Sequence, residues 1–318
     1  MLFFLRVVRI GALSVDLIGG KALGLCWLQE SGYRIPDTWV LSTAAFDAVI
    51  ATAGLGDHVA ALEQATAQQP DWRSVELALQ ALEGRRHDLV AALRTSPLPE
   101  AVRAALEKVG RKAPYWAVRS SATVEDGARH SFAGQFQSFL SVPGGDALIE
   151  AVRAVWASTF DKNALHYRAQ HGTPLPRMAV ILQPMPPISV RDRAGVAFSH
   201  SPLLGHPGVM LQGAFGAGLA VVGAGEGEVK CVDGARVTTI SRLSTHILVS
   251  GRSGGMRPTP KRLGPILNDA EALYLAGQVQ EIAARYGRPA DVEFIWPPAA
   301  PPTFLQVRPI STATAGRA

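Results

Sequence analysis

Cysteine is nearly missing: 318 residues carry two, Cys26 and Cys231, far apart in the chain. That excludes a disulfide framework, and the spacing excludes a cysteine zinc site, so a reducing, cytoplasmic setting is expected. Long apolar runs are missing too. No stretch reaches the about 18 residues a membrane span requires. The apolar start, MLFFLRVVRIG, is broken by Arg6 and Arg9 and lacks the uninterrupted core of a signal peptide. Charge is sparse at 18%, with a net +5 and no run of four Lys/Arg. No nucleic-acid or membrane partner is expected, and the basic surplus fits either an anionic ligand or scattered surface charge. The eight histidines form no metal-ligand pair at helical spacing, and no Ser/His/Asp or Cys/His nucleophile signature is present. Internal repeats are absent.

What remains is a composition 47% hydrophobic, enough to bury a large core in about two domains or lobes. Residues 14–30 read as a turn feeding a helix. YRIPDTWVLST reads as a short strand after a proline kink. Residues 44–110 are rich in Ala, Leu, Glu and Arg at helical spacing, which predicts several amphipathic helices. QFQSFLSV alternates as a strand ended by Pro143, Gly144 and Gly145. Asp146 is expected to cap one helix that carries Leu148, Val152, Val155, Trp156 and Phe160 inward and closes at Gly172. MAVILQPM is apolar throughout and predicts a strand buried on both faces. AGVAFS and GVMLQ follow as strands, then a glycine-rich loop at 213–225, then a hairpin of EVKCV and RVTTI. Asn268 and Glu271 fit a capping box for a helix through Tyr286, stopped by Gly287.

Three stretches carry chemistry. Lys21 follows Gly19 and Gly20, a pattern that lets a backbone approach a phosphate but also fits a plain turn with a surface lysine. VRSSATVED places Arg119 beside Ser120, Ser121 and Thr123. A planar guanidinium and short hydroxyls suit phosphate oxygens; the same residues fit a capped helix start, with Thr123 and Asp126 as caps and Arg119 paired to Glu125. The third stretch closes the chain. Alternation in ADVEFIW puts Asp291, Glu293 and Ile295 on one strand face, and alternation in TFLQVRPI puts Phe304, Gln306 and Arg308 on one face. Antiparallel pairing gathers two carboxylates, an amide and a guanidinium. They suit Mg²⁺ and phosphate, or a cross-strand ion pair of Arg308 with Glu293. His130 lies four residues beyond the second stretch and reads as a surface residue.

LIGGKALGL, VRSSATVEDGARHSFAGQFQSFLSV, GVAFSHSP and DVEFIW…FLQVRPI occur in this order. Together, over about residues 10–312, they resemble the N-terminal ATP-binding domain of the phosphoenolpyruvate synthase, pyruvate phosphate dikinase and rifampicin phosphotransferase family. The resemblance implies an α/β (α+β), ATP-grasp-like fold of two lobes, 1–190 with a helical insertion at about 44–110 and 191–318, with ATP in the cleft between them. It implies that Gly19, Gly20, Lys21, Arg119, Ser120, Ser121 and Thr123 surround phosphates, and that Gln183 and Met185 line the adenine pocket. It further implies that Asp291 and Glu293 hold Mg²⁺, and that Gln306 and Arg308 contact phosphate. Lys21, Arg119 and Arg308 are then the catalytic cations. Longer family members carry a threonine-serine-histidine-alanine run whose histidine takes the phosphoryl group; here only STHIL at 244–248 echoes it. The expectation is therefore an ATP-binding, phosphoryl-donating component with the phosphohistidine on a separate protein. Gln212 and Leu219 stand where the family carries glutamates, and Asn163 where an arginine is common. These departures define the alternative, a non-catalytic nucleotide-binding or sensor module. Direct phosphorylation of a small molecule is a third reading.

Overall fold

The computed structural model describes residues 3–6, 13–67, 71–125, 135–203, 205–218, 227–243, 246–251, 253–260 and 264–310. These form two compact units. One takes the described residues up to Cys26 and from Asp37 to Met185; the other takes Trp27–Pro36 and those from Pro186 onward.

In chain order the first unit contains β1 (Phe4–Arg6), the start of α1 (Val15–Glu30), β2 (Trp39–Leu41), α2 (Thr43–Thr52), α3 (Gly56–Thr66), α4 (Trp72–Ala81), α5 (Glu83–Thr95), α6 (Glu100–Gly110), β3 (Tyr115–Ala122), β4 (Ser138–Pro143), α7 (Asp146–Ser158), α8 (Lys162–His171) and β5 (Met178–Pro184). Its sheet runs β1-β2-β5-β3-β4, every neighbour antiparallel. β5 is the central strand of this sheet, between β2 and β3, and Met178–Leu182 are fully buried. That is why MAVILQPM is apolar on both faces. The helices of 43–110 send Leu62, Val75, Leu79, Leu89, Leu93, Val102 and Leu106 into one core with Trp116, Val118 and Trp156.

Two local expectations change. The span 146–172 is two helices. Between them Thr159, Phe160 and Asp161 turn through i→i−3 backbone bonds, which buries Phe160 in a ring stack on Phe46. Asp146 is the first residue of α7, and Gly145, at φ 74°, is its cap. As expected, β4 ends at Pro143, which pairs with Tyr115; a proline is tolerated there because β4 is the sheet edge.

The second unit contains β6 (Arg193–Phe198), β7 (Val209–Phe215), β8 (Gly227–Asp233), β9 (Arg236–Leu243), β10 (His246–Ser250), β11 (Met256–Pro260), α9 (Asp269–Tyr286), β12 (Ala290–Trp296) and β13 (Thr303–Pro309). Its main sheet is antiparallel in the order β13-β12-β6-β7-β8-β9; β10 and β11 pair separately. Residues 213–215 complete β7 rather than opening a loop. α9 has the expected capping box of Asn268 and Glu271 and ends at Gly287 in the left-handed conformation. Its Leu275, Val279 and Ile282 pack with Val292, Phe294, Phe304 and Val307 in a second core. No single helix among the described residues is long and apolar enough to cross a membrane.

Candidate functional site

In the first unit the glycine pair breaks a helix. α1 is non-helical at Gly19, φ 74° and ψ 170°. The break lets the Ser121 hydroxyl enter the backbone ladder. It accepts from Ala22 N at 3.0 Å and donates to the Ile18 carbonyl at 2.7 Å, joining a donor and an acceptor that an unbroken helix would pair directly. A side chain at residue 19 is excluded, since a Cβ there would stand 2.0 Å from the Ser121 carbonyl oxygen.

Past the break, Lys21 lies against the end of β3. Its Nζ donates to Glu125 Oε1 at 2.6 Å and to Ser120 Oγ at 3.0 Å. The Glu125 side chain is 1% exposed and that of Lys21 13%. Glu125 Oε2 accepts from Ala122 N at 2.7 Å. Thr123 exchanges two bonds with the Arg177 backbone, its N donating to the carbonyl at 3.1 Å and its Oγ1 accepting from the N–H at 3.2 Å. Arg119 sits in β3 between Ile181 and Ser138 of the flanking strands. Gln183, opposite Ala117, is buried and donates to Thr38 Oγ1 at 3.0 Å. Met185 N donates to the Tyr115 carbonyl, and its sulfur accepts from Ser141 N at 3.2 Å.

In the second unit the closing hairpin sets Asp291 opposite Arg308 and Glu293 opposite Gln306. The carboxylates, amide and guanidinium share a face, as their alternation predicts. A bulge after Glu293 shifts the register, so Phe304 pairs with Phe294 and turns into the core. The expectation that Phe304 shares the face of Gln306 is corrected by that one extra residue. Arg308 Nε and Nη2 both donate to Asp291 Oδ2, at 2.8 and 2.6 Å. Asp291 is 4% exposed, and its Oδ1 is buried and accepts no hydrogen bond among the described residues. Burial raises the Asp291 carboxyl above the usual carboxylate range, against the pull of Arg308 and with a further push from Glu293. Across the sheet, Glu293 pairs with Val196 and Val196 with Gln212, so Gln212 joins the Glu293 face. Among the described residues no group of three or more His, Cys, Asp or Glu could hold a metal alone.

Sequence reasoning treated Glu125 only as a partner for Arg119 and missed its bond to Lys21. The signal was faint: an acid four residues after a strand serine. It also missed a buried pair on β8, Lys230 Nζ lying 3.8 Å from Glu228 Oε1 and 3.2 Å from Asp269 Oδ1. Asp126, His130, Leu219 and residues 219–225 of the glycine-rich stretch lie outside the described residues, as do Ser244 and Thr245 of STHIL. Asn163 is exposed near the start of α8.

Residues 15–318 match the family model for the pyruvate phosphate dikinase AMP/ATP-binding domain. The chain belongs to that family. Rifampicin phosphotransferase of Streptomyces sviceus is 32% identical over 309 residues, which cover 92% of this chain and 34% of that protein. A Methanothermobacter thermautotrophicus protein named "Probable phosphoenolpyruvate synthase" is 28% identical over 321 residues, covering 96% of this chain and 45% of its own length. The chain thus spans less than half of these relatives. It is an ATP-binding domain of the phosphoenolpyruvate synthase and dikinase type.

Proposed function

We propose that this domain binds ATP as the phosphoryl donor of an ATP-grasp-like phosphotransferase, and that the accepting histidine lies on a domain outside these 318 residues. Lys21 and Arg119 of the first unit and Gln306 and Arg308 of the second serve the phosphates, with Ser120, Ser121 and Thr123 shaping the strand end beside them. Gln183 and Met185 serve the base. Most of the catalysis is charge stabilisation by fixed cations.

The observation that carries this reading is the closing hairpin face. Asp291 lies opposite Arg308 and Glu293 opposite Gln306, and two carboxylates beside an amide and a guanidinium suit a hard cation and a phosphate. The residues fit Mg²⁺: Asp291 keeps one buried oxygen that accepts no hydrogen bond among the described residues, and Glu293 is its neighbour on the face. Asp291 and Glu293 would hold the ion, with the ligand's phosphates completing its shell. When bound, Mg²⁺ supplies neutralisation of phosphate charge.

Calorimetric titration of ATP with and without Mg²⁺ tests the binding half. Labelled ATP, with and without a histidine domain taken from a relative, tests the transfer half by following AMP, ADP and protein-bound label. Mg²⁺-dependent binding and label on the histidine domain are expected. No binding at millimolar ATP overturns the reading. Binding without transfer favours the second reading, a nucleotide-binding module without turnover, which Gln212 supports by bringing an amide to the Glu293 face where the family carries a glutamate.

A further inference from the structure

An ammonium has three N–H donors. Among the described residues, two of those of Lys21 are engaged, one by Glu125 Oε1 at 2.6 Å and one by Ser120 Oγ at 3.0 Å. The acid is anchored more firmly than the base. Glu125 Oε2 accepts from Ala122 N at 2.7 Å, the Glu125 N–H donates to the Ala122 carbonyl, and the Ser120 hydroxyl lies 3.3 Å from Oε1. Both Glu125 and Ser120 are buried, whereas the Lys21 side chain retains 13% of its exposure. What reaches solvent from this cluster is therefore the ammonium, not the carboxylate. A lysine is otherwise a flexible point charge on a four-carbon stem. Here its rotamers are restricted before any ligand arrives, which removes part of the ordering entropy that binding an anion would require.

We propose that Glu125 is a positioning residue: it fixes the Lys21 ammonium, with Ser120 as the second tether, so that the third N–H is left for an anionic oxygen of the ligand, a phosphate in the function proposed above. The inference rests on that reading for its ligand, and a mutant cycle separates the two. ATP affinity is measured by calorimetry, alongside the melting temperature of the ligand-free protein, for wild type, Glu125→Gln, Lys21→Met and the double variant.

Glu125→Gln keeps the shape of the side chain and removes its charge. It is expected to weaken ATP binding about tenfold, as loss of a charged hydrogen bond does. In the Lys21→Met background the same change is expected to shift affinity by less than about twofold, because the residue it acts through is gone. A purely structural role gives the opposite pattern, an equal loss of affinity in both backgrounds, and overturns the proposal. Unchanged or tighter ATP binding by Glu125→Gln also overturns it, since Glu125 would then be competing with the ligand for Lys21. If Glu125→Gln does not fold, Ser120→Ala takes its place in the cycle, with a several-fold loss expected in wild type and none beside Lys21→Met. A wild type that binds no ATP overturns the function itself. A wild type that binds, a Lys21→Met that binds weakly and an additive Glu125→Gln leave the function standing and remove only the positioning role.

Discussion

The two serines of VRSSAT do different work although they are adjacent. Ser120 tethers the Lys21 ammonium, whereas Ser121 mends the backbone of α1 at the Gly19 break. Ala22 N–H and the Ile18 carbonyl belong to fully buried residues, so removing the hydroxyl strands both. Ser121→Ala is expected to lower the unfolding free energy by about 1–3 kcal/mol, the penalty of buried unsatisfied polar groups, measured by urea denaturation. A loss within about 0.5 kcal/mol, the range of a surface change, would show that water replaces the hydroxyl. Lys21→Ala is expected to weaken ATP binding and to lower stability as well, because it leaves the buried Glu125 carboxylate without its cation. Neither sequence reading of this stretch, phosphate wall or helix start, contained the Ser121 bridge. Its partners lie 99 and 103 residues away, and periodicity carries no information at that separation. Lys21 itself was legible, because a lysine after paired glycines is a local pattern; the acid that holds it was not.

At the scale of elements, what was legible was local. The capping box of α9 needs only Asn268 and Glu271, three residues apart, and it forms. The apolar run of β5 marks its place inside the sheet. The hairpin was legible up to its bulge: alternation assumes a regular ladder, and past Glu293 the ladder slips by one residue. That slip moves Phe304 from the polar face into the core with Phe294 and Val292. The difference is measurable. Phe304→Ala is expected to cost about 3–5 kcal/mol, the range for emptying a buried aromatic site. Leu305→Ala, at the half-buried bulge position, should cost less than half as much. Equal losses in denaturant titrations would return Phe304 to the polar face. The break between α7 and α8 was hidden for a related reason. Apolar residues keep helical spacing up to Phe160, and only tertiary packing on Phe46 reveals that the helix has already ended.

For the whole molecule, ligand linkage joins the local expectations. ATP that binds only the folded chain should stabilise it by about 2.7 kcal/mol at a hundredfold excess over its dissociation constant. The Mg²⁺ part of that gain should depend on pH through Asp291. Burial raises its carboxyl in the folded state, with Glu293 adding to the shift and Arg308 opposing it. Between the ordinary carboxylate value and the raised one, the folded chain holds a proton that the unfolded chain has lost. The Asp291 contribution to ligand-free stability therefore falls as pH rises through this window, being fully present below the unfolded value. A cation that binds the ionised carboxylate acts in the opposite direction, displacing the proton and binding better as pH rises. The Mg²⁺-dependent part of ATP affinity is thus expected to weaken as pH falls into the same window, before an ordinary exposed carboxylate would begin to titrate. Asp291→Asn should remove both Asp291 contributions while sparing Mg²⁺-independent binding. Thermal melts and calorimetry across pH 4 to 8, roughly the span in which carboxylates with raised values titrate, read both at once. Opposite slopes in the difference between wild type and Asp291→Asn would tie the cation to this carboxyl. An Mg²⁺ dependence that survives Asp291→Asn unchanged would assign the cation elsewhere, and Glu293→Gln would then show whether the hairpin holds it at all.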